Sequence, residues 1–213
     1  MKKNKLILFD WGNIVEVTSF TKNKYTCNDA FQDLFKACGY KGDKIIFRNL
    51  GRYKISAIPN INEFEKAFNE MKEEFNLNVD FKKFVELYTY YFDKIDYYKE
   101  VRDYEVSLKD KCYIGIFSNL TIFDKKRLDK QVGLDNYDYV FLSFELNDRK
   151  PSQQIYEKVC KEVPFNNRDI LFIDDREDNI EMAKNMGWNT FRATCIELDK
   201  IKETCEKFIN NND

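Results

Sequence analysis

The sequence predicts an α/β protein in which a parallel β-sheet carries helices on both faces and a block of helices is inserted after the first strand. Short apolar runs that each end on a polar residue alternate with helical patterns along most of the 213-residue chain. This alternation is typical of right-handed βαβ crossovers, which produce a parallel sheet. The stretch from about residue 18 to residue 94 differs, because it contains helical patterns and no convincing strand.

The predicted strands are short apolar runs of the kind that lie buried in a parallel sheet. Four clear runs cover residues 6–9, 112–117, 139–142 and 170–173, and a weaker fifth covers residues 189–192. Helical patterns follow each of the last four strands, at residues 122–132, 153–163, 177–186 and 196–209. Gly187, directly after the third of these patterns, is a typical end of a helix.

The inserted block has the pattern of a small helical bundle. Apolar residues recur at helical spacing over residues 60–75 and 80–92, and further helices are expected at residues 28–38 and 44–50. The aromatic side chains of the two long patterns fall on one side of each helix. This arrangement favours the core of a bundle over a ligand site.

The length of the chain fits one domain that carries an insertion. At 213 residues it is longer than one minimal domain and shorter than two full ones. Residues 97–109 would return the chain from the insertion to the sheet. We therefore expect a core domain formed by residues 1–17 and 95–213, and an inserted helical domain formed by residues 18–94.

The composition narrows the chemistry that this protein can perform. The chain has 35 basic and 37 acidic residues, so it lacks the basic excess of an electrostatic nucleic-acid binder. It contains no histidine, which excludes Ser-His-Asp and Cys-His mechanisms and histidine-ligated zinc. Its six cysteines form no C-x-x-C pair, so a zinc site is not expected and reduced thiols are.

No part of the sequence has the pattern of a membrane segment. A spanning helix needs about 20 consecutive apolar residues, and the apolar run before Asp10 is too short for a signal peptide. We therefore expect a soluble, cytoplasmic protein that binds neither membranes nor nucleic acid. The sequence does not indicate an oligomeric state.

Polar residues stand at the ends of four predicted strands, or shortly after them. They are Asp10, Ser118, Lys150 and the pair Asp174 and Asp175. The carboxyl ends of parallel strands share one edge, where open α/β sheets bind ligands. Each residue taken singly also fits a helix cap or a surface charge. The adjacent pair of carboxylates is different, because two such groups at the end of a buried strand repel each other unless a cation compensates them.

In this order, the positions resemble the four motifs of the haloacid dehalogenase-like (HAD) superfamily of phosphatases. Asp10, Ser118 and Lys150 match the first three motifs, and the pair at 174–175 matches the fourth. The segment Asp-Trp-Gly-Asn-Ile at residues 10–14 is similar to the Asp-x-Gly-Asn-Val form found in a subgroup that contains sugar-phosphate phosphatases. The resemblance implies a three-layer Rossmann-like sheet with strand order 3-2-1-4-5, and it implies that the inserted helices form a C1-type cap.

The resemblance also implies a Mg²⁺-dependent reaction on a small phosphorylated substrate. Asp10 would be the nucleophile and would form an aspartyl-phosphate. Ser118 and Lys150 would bind the phosphoryl group and neutralise its charge. The implied metal ligands are oxygens of Asp10, Gly12 (its backbone carbonyl), Asp174, Asp175 and, through water, Asn179. The implied substrate contacts are Trp11, Gly12 and Asn119.

Gly12 departs from the pattern of the family. Most of its phosphatases carry a second Asp at this position, which protonates the leaving group and then activates water. General acid–base catalysis is typically worth ~10²–10⁴-fold, so we expect a slower phosphatase that is least impaired on substrates with good leaving groups. Glu16, or a residue of the cap, is a candidate replacement for this acid.

Three functions remain open from the sequence. The first is a Mg²⁺-dependent phosphatase for a small metabolite such as a sugar phosphate. The second is a non-catalytic protein that binds phosphate or a partner, which Gly12 alone supports. The third is a 2-haloacid dehalogenase, which the acidic pair at 174–175 opposes because dehalogenases carry small polar residues there. Arg52, Lys54 and Arg149 fit either substrate contact or surface charge.

Overall fold

The computed structural model describes residues 4–18, 23–43 and 47–211. Its centre is a sheet of five parallel strands in the order β3-β2-β1-β4-β5. The strands are β1 (Leu6–Phe9), β2 (Tyr113–Ser118), β3 (Tyr139–Leu142), β4 (Ile170–Asp174) and β5 (Asn189–Arg192). The predicted strands and their order are confirmed, with Ser118 and Asp174 now the last residues of β2 and β4.

Eight α-helices lie between and after the strands in the described part of the chain. They are α1 (Cys27–Ala37), α2 (Ile61–Phe75), α3 (Phe81–Phe92), α4 (Lys99–Ser107), α5 (Lys125–Val132), α6 (Gln153–Glu162), α7 (Glu177–Asn185) and α8 (Leu198–Asn210). Short 3-10 turns join several of them, including one at Phe47–Tyr53. The predicted helix at 44–50 begins outside the described residues, because residues 44–46 are not among them.

Each face of the sheet is covered by helices, because successive strand residues point to opposite faces. Ile7 and Phe9 of β1 lie in one buried cluster with α4, α5 and α8. Leu6 and Leu8 lie in a second buried cluster with α6 and α7. The predicted three-layer arrangement is therefore confirmed.

Helices α1, α2 and α3 share a third buried cluster, which is rich in aromatic side chains. Asn60 and Asp80 begin α2 and α3, since their side chains accept hydrogen bonds from the N–H groups of residues 63 and 83. The expected aromatic core of the insertion is confirmed: Phe64, Phe68 and Tyr88 are all buried in it. The predicted division between residues 18–94 and the remainder stays a prediction.

Helix α5 begins later than the sequence predicts. Helix α5 begins at Lys125 and not at residue 122. The N–H and hydroxyl of Thr121 both donate to Asp124 Oδ2, at 2.8 and 2.9 Å, and this forms a turn before the helix. Ile122 and Phe123 pack against the aromatic cluster of the insertion instead.

The insertion contacts the sheet domain at its connections and beyond them. The two connections lie side by side, with hydrogen bonds from Val17 N to Asp96 O at 3.0 Å and from Tyr98 N to Val15 O at 2.8 Å. Further along, Ser143 Oγ donates to the carbonyl oxygen of Ser56. Within the described ranges, every helix is too short or too polar to traverse a bilayer.

Candidate active site

The ends of the strands bring the predicted site residues to one edge of the sheet. Asp10 follows β1, Ser118 ends β2 and Asp174 ends β4, while Lys150 lies in the segment between β3 and α6. One carboxylate oxygen from each of Asp10, Asp174 and Asp175 lies within 4.8 Å of the other two. The three carboxylates therefore lie close together around one point, as the sequence predicted.

Lys150 joins two of these carboxylates. Its Nζ donates to Asp174 Oδ2 at 2.7 Å and lies 3.1 Å from Asp10 Oδ1. It also donates to the carbonyl oxygen of Phe117 at 2.7 Å. Ser118 Oγ donates to the same Asp10 Oδ1 at 2.6 Å. Because Lys150 is only 3% exposed, its ammonium group is held between the carboxylates and away from bulk water.

Burial dominates the electrostatics of this cluster. It raises the pKa of Asp10 from 3.8 to about 7, against the lowering effect of Lys150. Burial also raises the pKa of Asp175 above its usual value. For Lys150 the largest effect, burial, lowers the pKa, but the carboxylates of Asp10 and Asp174 outweigh it and the net shift is upward. One ammonium group therefore faces three carboxyl groups, and the raised pKa values of Asp10 and Asp175 reflect burial that the cations of the protein do not fully offset.

Two asparagines hold the acidic pair in position. Asn13 Nδ2 donates to Asp175 Oδ2 at 2.8 Å, and Asn179 Nδ2 donates to Asp174 Oδ2 at 2.9 Å. Asn13 adopts the left-handed conformation, with φ of 57°, which Asn tolerates better than most residues. The sequence reading missed Asn13 as a site residue, although an Asn after Gly in a turn is a recognisable sign of this conformation.

The donor set of the cluster fits a hard divalent cation. The available groups are carboxylate oxygens of Asp10, Asp174 and Asp175, and Mg²⁺ prefers oxygen ligands. Asn179 is 1% exposed, and its Oδ1 has no hydrogen-bond partner among the described residues. The backbone carbonyl of Gly12 is an implied metal ligand, and Gly12 lies in the same loop as Asp10, as this role requires. The ligand roles of Gly12 and Asn179 stay predictions.

The space beside Gly12 is already occupied. A Cβ atom built at Gly12 would lie 3.3 Å from Thr18 Cγ2 and 3.9 Å from Asp10 Oδ2. A carboxylic acid at this position would therefore approach Asp10, but Thr18 would have to give way. Glu16 does not replace the missing acid in this structure, because it is 3% exposed and its carboxylate pairs with the guanidinium of Arg127.

Two predicted substrate contacts are engaged elsewhere. The indole of Trp11 is buried, with the residue 1% exposed, so the structure favours packing over a pocket-facing side chain. Its backbone remains the candidate contact. Asn119 exchanges two hydrogen bonds with the backbone of Lys150: Nδ2 donates to the carbonyl oxygen at 3.0 Å and Oδ1 accepts from the N–H at 2.9 Å. Asn119 therefore holds the segment that carries Lys150.

Among the other charged candidates, Arg52 has its side chain engaged within the insertion. Arg52 is exposed and pairs with Glu74 of α2, which also accepts from the hydroxyl of Tyr53. Lys54 adopts the left-handed conformation, with φ of 47°. Arg149 is anchored through its backbone N–H, which donates to Asp148 Oδ1 at 2.7 Å. Surface charge is the interpretation that the contacts of Arg52 favour.

Comparisons with known sequences identify related proteins. The family model described as haloacid dehalogenase-like hydrolase matches residues 5–187. The D-ribitol-5-phosphate phosphatase of Bacteroides thetaiotaomicron is 25% identical over 202 residues, which span 88% of this chain and 91% of that protein.

Solved structures share the fold over almost the whole chain. A protein described as a predicted HAD-like family hydrolase from Porphyromonas gingivalis has a TM-score of 0.72 at 18% identity, covering 99% of this chain and 100% of its own. A HAD family enzyme from Bacteroides thetaiotaomicron, in complex with magnesium and inorganic phosphate, has a TM-score of 0.66 at 18% identity, covering 91% and 96%.

Proposed function

This chain belongs to the haloacid dehalogenase-like hydrolase family, and on that premise we propose that it is a Mg²⁺-dependent phosphatase for a small phosphorylated metabolite. The predicted family resemblance is thereby confirmed. The observation that carries the proposal is the position of Asp10, whose carboxylate contacts Ser118 and Lys150 and lies in one cluster with Asp174 and Asp175. Nucleophile, phosphate-binding groups and metal ligands are thus supplied by a single edge of the sheet.

In the first step of the proposed reaction, a carboxylate oxygen of Asp10 attacks phosphorus. A bond forms between this oxygen and phosphorus, and the bond from phosphorus to the ester oxygen breaks, so the ester oxygen leaves as an alkoxide that takes a proton from water, and an aspartyl-phosphate remains. Water then attacks the phosphorus of this intermediate, and the bond from phosphorus to the Asp10 oxygen breaks. One proton of the water stays on the inorganic phosphate and the other passes to solvent, which leaves Asp10 as a carboxylate again. Ser118 and Lys150 reach Asp10 Oδ1 at 2.6 and 3.1 Å, so both can stabilise charge on the phosphoryl oxygens beside it.

The cation completes the charge balance of the site. When bound, Mg²⁺ supplies positive charge that offsets the carboxylates and the incoming phosphate. Asp174 and Asp175 would hold it at the edge of the sheet, and Asn13 keeps Asp175 in place through its hydrogen bond of 2.8 Å. Lys150 remains between Asp10 and Asp174, where it reduces repulsion between the phosphate and the nucleophile.

Gly12 determines which substrates fit this chemistry. No carboxylic acid stands at position 12 to protonate the leaving oxygen, and Glu16 is held by Arg127. Substrates whose leaving group needs little protonation are therefore favoured, because general acid catalysis typically contributes ~10²–10⁴-fold. The relative named D-ribitol-5-phosphate phosphatase makes sugar and polyol phosphates the first substrate class to test, and within it an anomeric phosphate, with its better leaving group, should react faster than a primary alkyl phosphate.

A screen of phosphate esters tests this function directly. Wild-type protein is incubated with sugar phosphates, polyol phosphates and nucleotides, with Mg²⁺ or with EDTA, and phosphate release is measured. We expect Mg²⁺-dependent release that Asp10→Asn abolishes and that Asp199→Asn, a change at a fully exposed carboxylate on α8, leaves intact. Acid-stable trapping of labelled phosphate on wild type, and not on Asp10→Asn, would identify the intermediate.

Two outcomes would replace the proposal. Binding of Mg²⁺ and phosphate without release from any ester would establish the non-catalytic alternative, in which Gly12 marks lost turnover. Halide release from a 2-haloacid that EDTA does not affect would establish the dehalogenase alternative. The acidic pair at 174–175 already opposes the dehalogenase, because its carboxylates build the cluster that suits a cation.

A further inference from the structure

A second buried charge cluster lies beside the proposed nucleophile. Arg127 of α5 is 5% exposed, and its guanidinium carbon lies 4.4 Å from the centre of the Trp11 ring. The same group pairs with Glu16 and, at 2.8 Å, with Asp124 Oδ1. A planar guanidinium can stack on an aromatic ring and bind carboxylates at its edge at the same time, which an ammonium group cannot do.

The carboxylate of Asp124 is fully engaged by the protein. Tyr88 of α3 donates its hydroxyl hydrogen to Oδ1 at 3.0 Å, next to Arg127. Thr121 donates to Oδ2 from its N–H and from its hydroxyl, at 2.8 and 2.9 Å. The guanidinium of Arg127 also lies 5.5 Å from the ring centre of Phe92. The Arg127 cluster, which is Arg127 with Glu16, Asp124, Thr121 and Tyr88, therefore includes one residue of the inserted helices.

Trp11 depends on this cluster for its orientation. Its Nε1 has no hydrogen-bond partner among the residues that the structure describes, so the ring is held by packing and by Arg127. Its carbonyl oxygen accepts hydrogen bonds from the N–H groups of Val15 and Glu16, at 2.9 Å each. The side chain of Glu16 binds Arg127 in turn, so ring and backbone of Trp11 are fixed by one closed set of contacts.

From this geometry we propose that Arg127 is a positioning residue for the reaction. It fixes Trp11, and hence the peptide groups next to Asp10, and it links them to α3 of the insertion through Tyr88. The proposal rests on the proposed function, since it treats Asp10 as the nucleophile. Displacement of reacting groups by about 1 Å can cost on the order of 10²-fold in rate, so loss of Arg127 should lower turnover without removing any group that touches substrate.

Three variants test whether Arg127 positions Trp11 or only stabilises the fold. Arg127→Met removes the cation and leaves two buried carboxylates unpaired. The triple variant Arg127→Met/Glu16→Gln/Asp124→Asn removes those carboxylate charges as well. Arg127→Lys keeps the positive charge but replaces the planar guanidinium with an ammonium group. Tyr137→Phe is the control, because it breaks another buried hydrogen bond, of 2.6 Å to Glu105, ahead of the amino end of β3.

We expect kcat to fall about 10- to 100-fold in Arg127→Met and in the triple variant, with KM changing less. Arg127→Lys should recover only part of the loss, and Tyr137→Phe should keep wild-type kcat. In a Trp188→Phe background, which leaves Trp11 as the single tryptophan of this chain, the emission of Trp11 should shift in both Arg127→Met variants and not in the control. Wild-type kcat in the triple variant would show that Arg127 serves stability alone and would overturn the proposal.

Two further readouts keep this test independent of turnover. The affinity for inorganic phosphate in the presence of Mg²⁺, measured by calorimetry, should weaken about tenfold in the triple variant, because misplaced peptide groups bind phosphate less well. If wild type hydrolyses no ester, the proposed function fails, whereas Trp11 emission and phosphate affinity still decide the role of Arg127. Emission and phosphate affinity that both stay at wild-type values would refute it.

Discussion

Replacing Lys150 by Met tests whether its charge holds the active-site cluster together. The Nζ of Lys150 contacts Asp174 at 2.7 Å, Asp10 at 3.1 Å and the carbonyl oxygen of Phe117 at 2.7 Å. Met has a similar length and no charge, so two buried carboxylates lose their common partner. Removing one partner of a buried ion pair typically costs about 3–5 kcal/mol. The free energy of unfolding of a domain is typically about 5–15 kcal/mol, so this loss is a large part of it.

The assay is urea unfolding of wild type and Lys150→Met in EDTA and in Mg²⁺. We expect the free energy of unfolding to fall by about 3–5 kcal/mol in EDTA. A cation at about 100 times its Kd adds about 2.7 kcal/mol to a protein that binds it only when folded. The gain from Mg²⁺ should be larger in Lys150→Met than in wild type, because the variant leaves more negative charge for the cation to balance.

Lys158→Met is the matched control for this experiment. Its Nζ donates to the carbonyl oxygen of Leu146 at 2.6 Å and has no carboxylate partner among the described residues. Its loss should cost about 1 kcal/mol, the usual net value of a hydrogen bond. If Lys150→Met in EDTA is no less stable than Lys158→Met, the ammonium of Lys150 does not hold the cluster and the electrostatic reasoning is refuted.

Three further changes have expected outcomes. Burial raises the pKa of Glu105 from 4.5 to about 8, so the folded protein keeps a proton that the unfolded chain loses, and stability falls as pH rises through that window. Asp10, whose pKa burial raises to about 7, contributes to the fall in the same window, so Glu105→Gln should reduce the fall without abolishing it, measured by urea unfolding at both ends of the window. Gly12→Asp combined with Thr18→Ala should raise kcat/KM for an alkyl phosphate relative to p-nitrophenyl phosphate by at least about tenfold, and an unchanged ratio would show that protonation of the leaving group is not limiting. Asn13→Gly keeps the left-handed backbone but loses the side-chain amide that binds Asp175 at 2.8 Å. This variant should bind Mg²⁺ about 10-fold more weakly, or worse, when affinity is measured by calorimetry. An unchanged affinity would contradict the role of Asn13.

The sheet could be predicted from the sequence because its strands are continuous apolar runs. Leu6–Phe9 and Ile170–Asp174 are buried along their whole length, so their composition alone marks them. Each run ends on a polar residue, which also predicted the edge at which Asp10 and Asp174 meet. The fifth strand was weaker in the sequence because Asn189–Arg192 lies at the end of the sheet and none of its residues is fully buried.

The Arg127 cluster could not be predicted, because its members carry no pattern in the sequence. Arg127 lies in a helical pattern whose other charges are exposed, and Glu16 and Asp124 are single acids at a loop and at a helix start. Only the fold brings three segments of the chain together at one point. A buried arginine and an exposed one have the same local sequence, so the burial of Arg127 could not be predicted from the residues around it.

The two buried charge clusters differ in how many of their carboxylate oxygens accept hydrogen bonds from the protein. Each has more carboxylates than cations, so charge alone does not distinguish a ligand site from a structural one. In the Arg127 cluster both oxygens of Asp124 receive hydrogen bonds from the protein. Around Lys150, hydrogen bonds from described residues reach both oxygens of Asp174, but only one oxygen of Asp10 and one of Asp175. One oxygen from each of the three carboxylates lies within 4.8 Å of the other two, so the oxygens of Asp10 and Asp175 that accept no hydrogen bond from described residues are available to the cation of the proposed function.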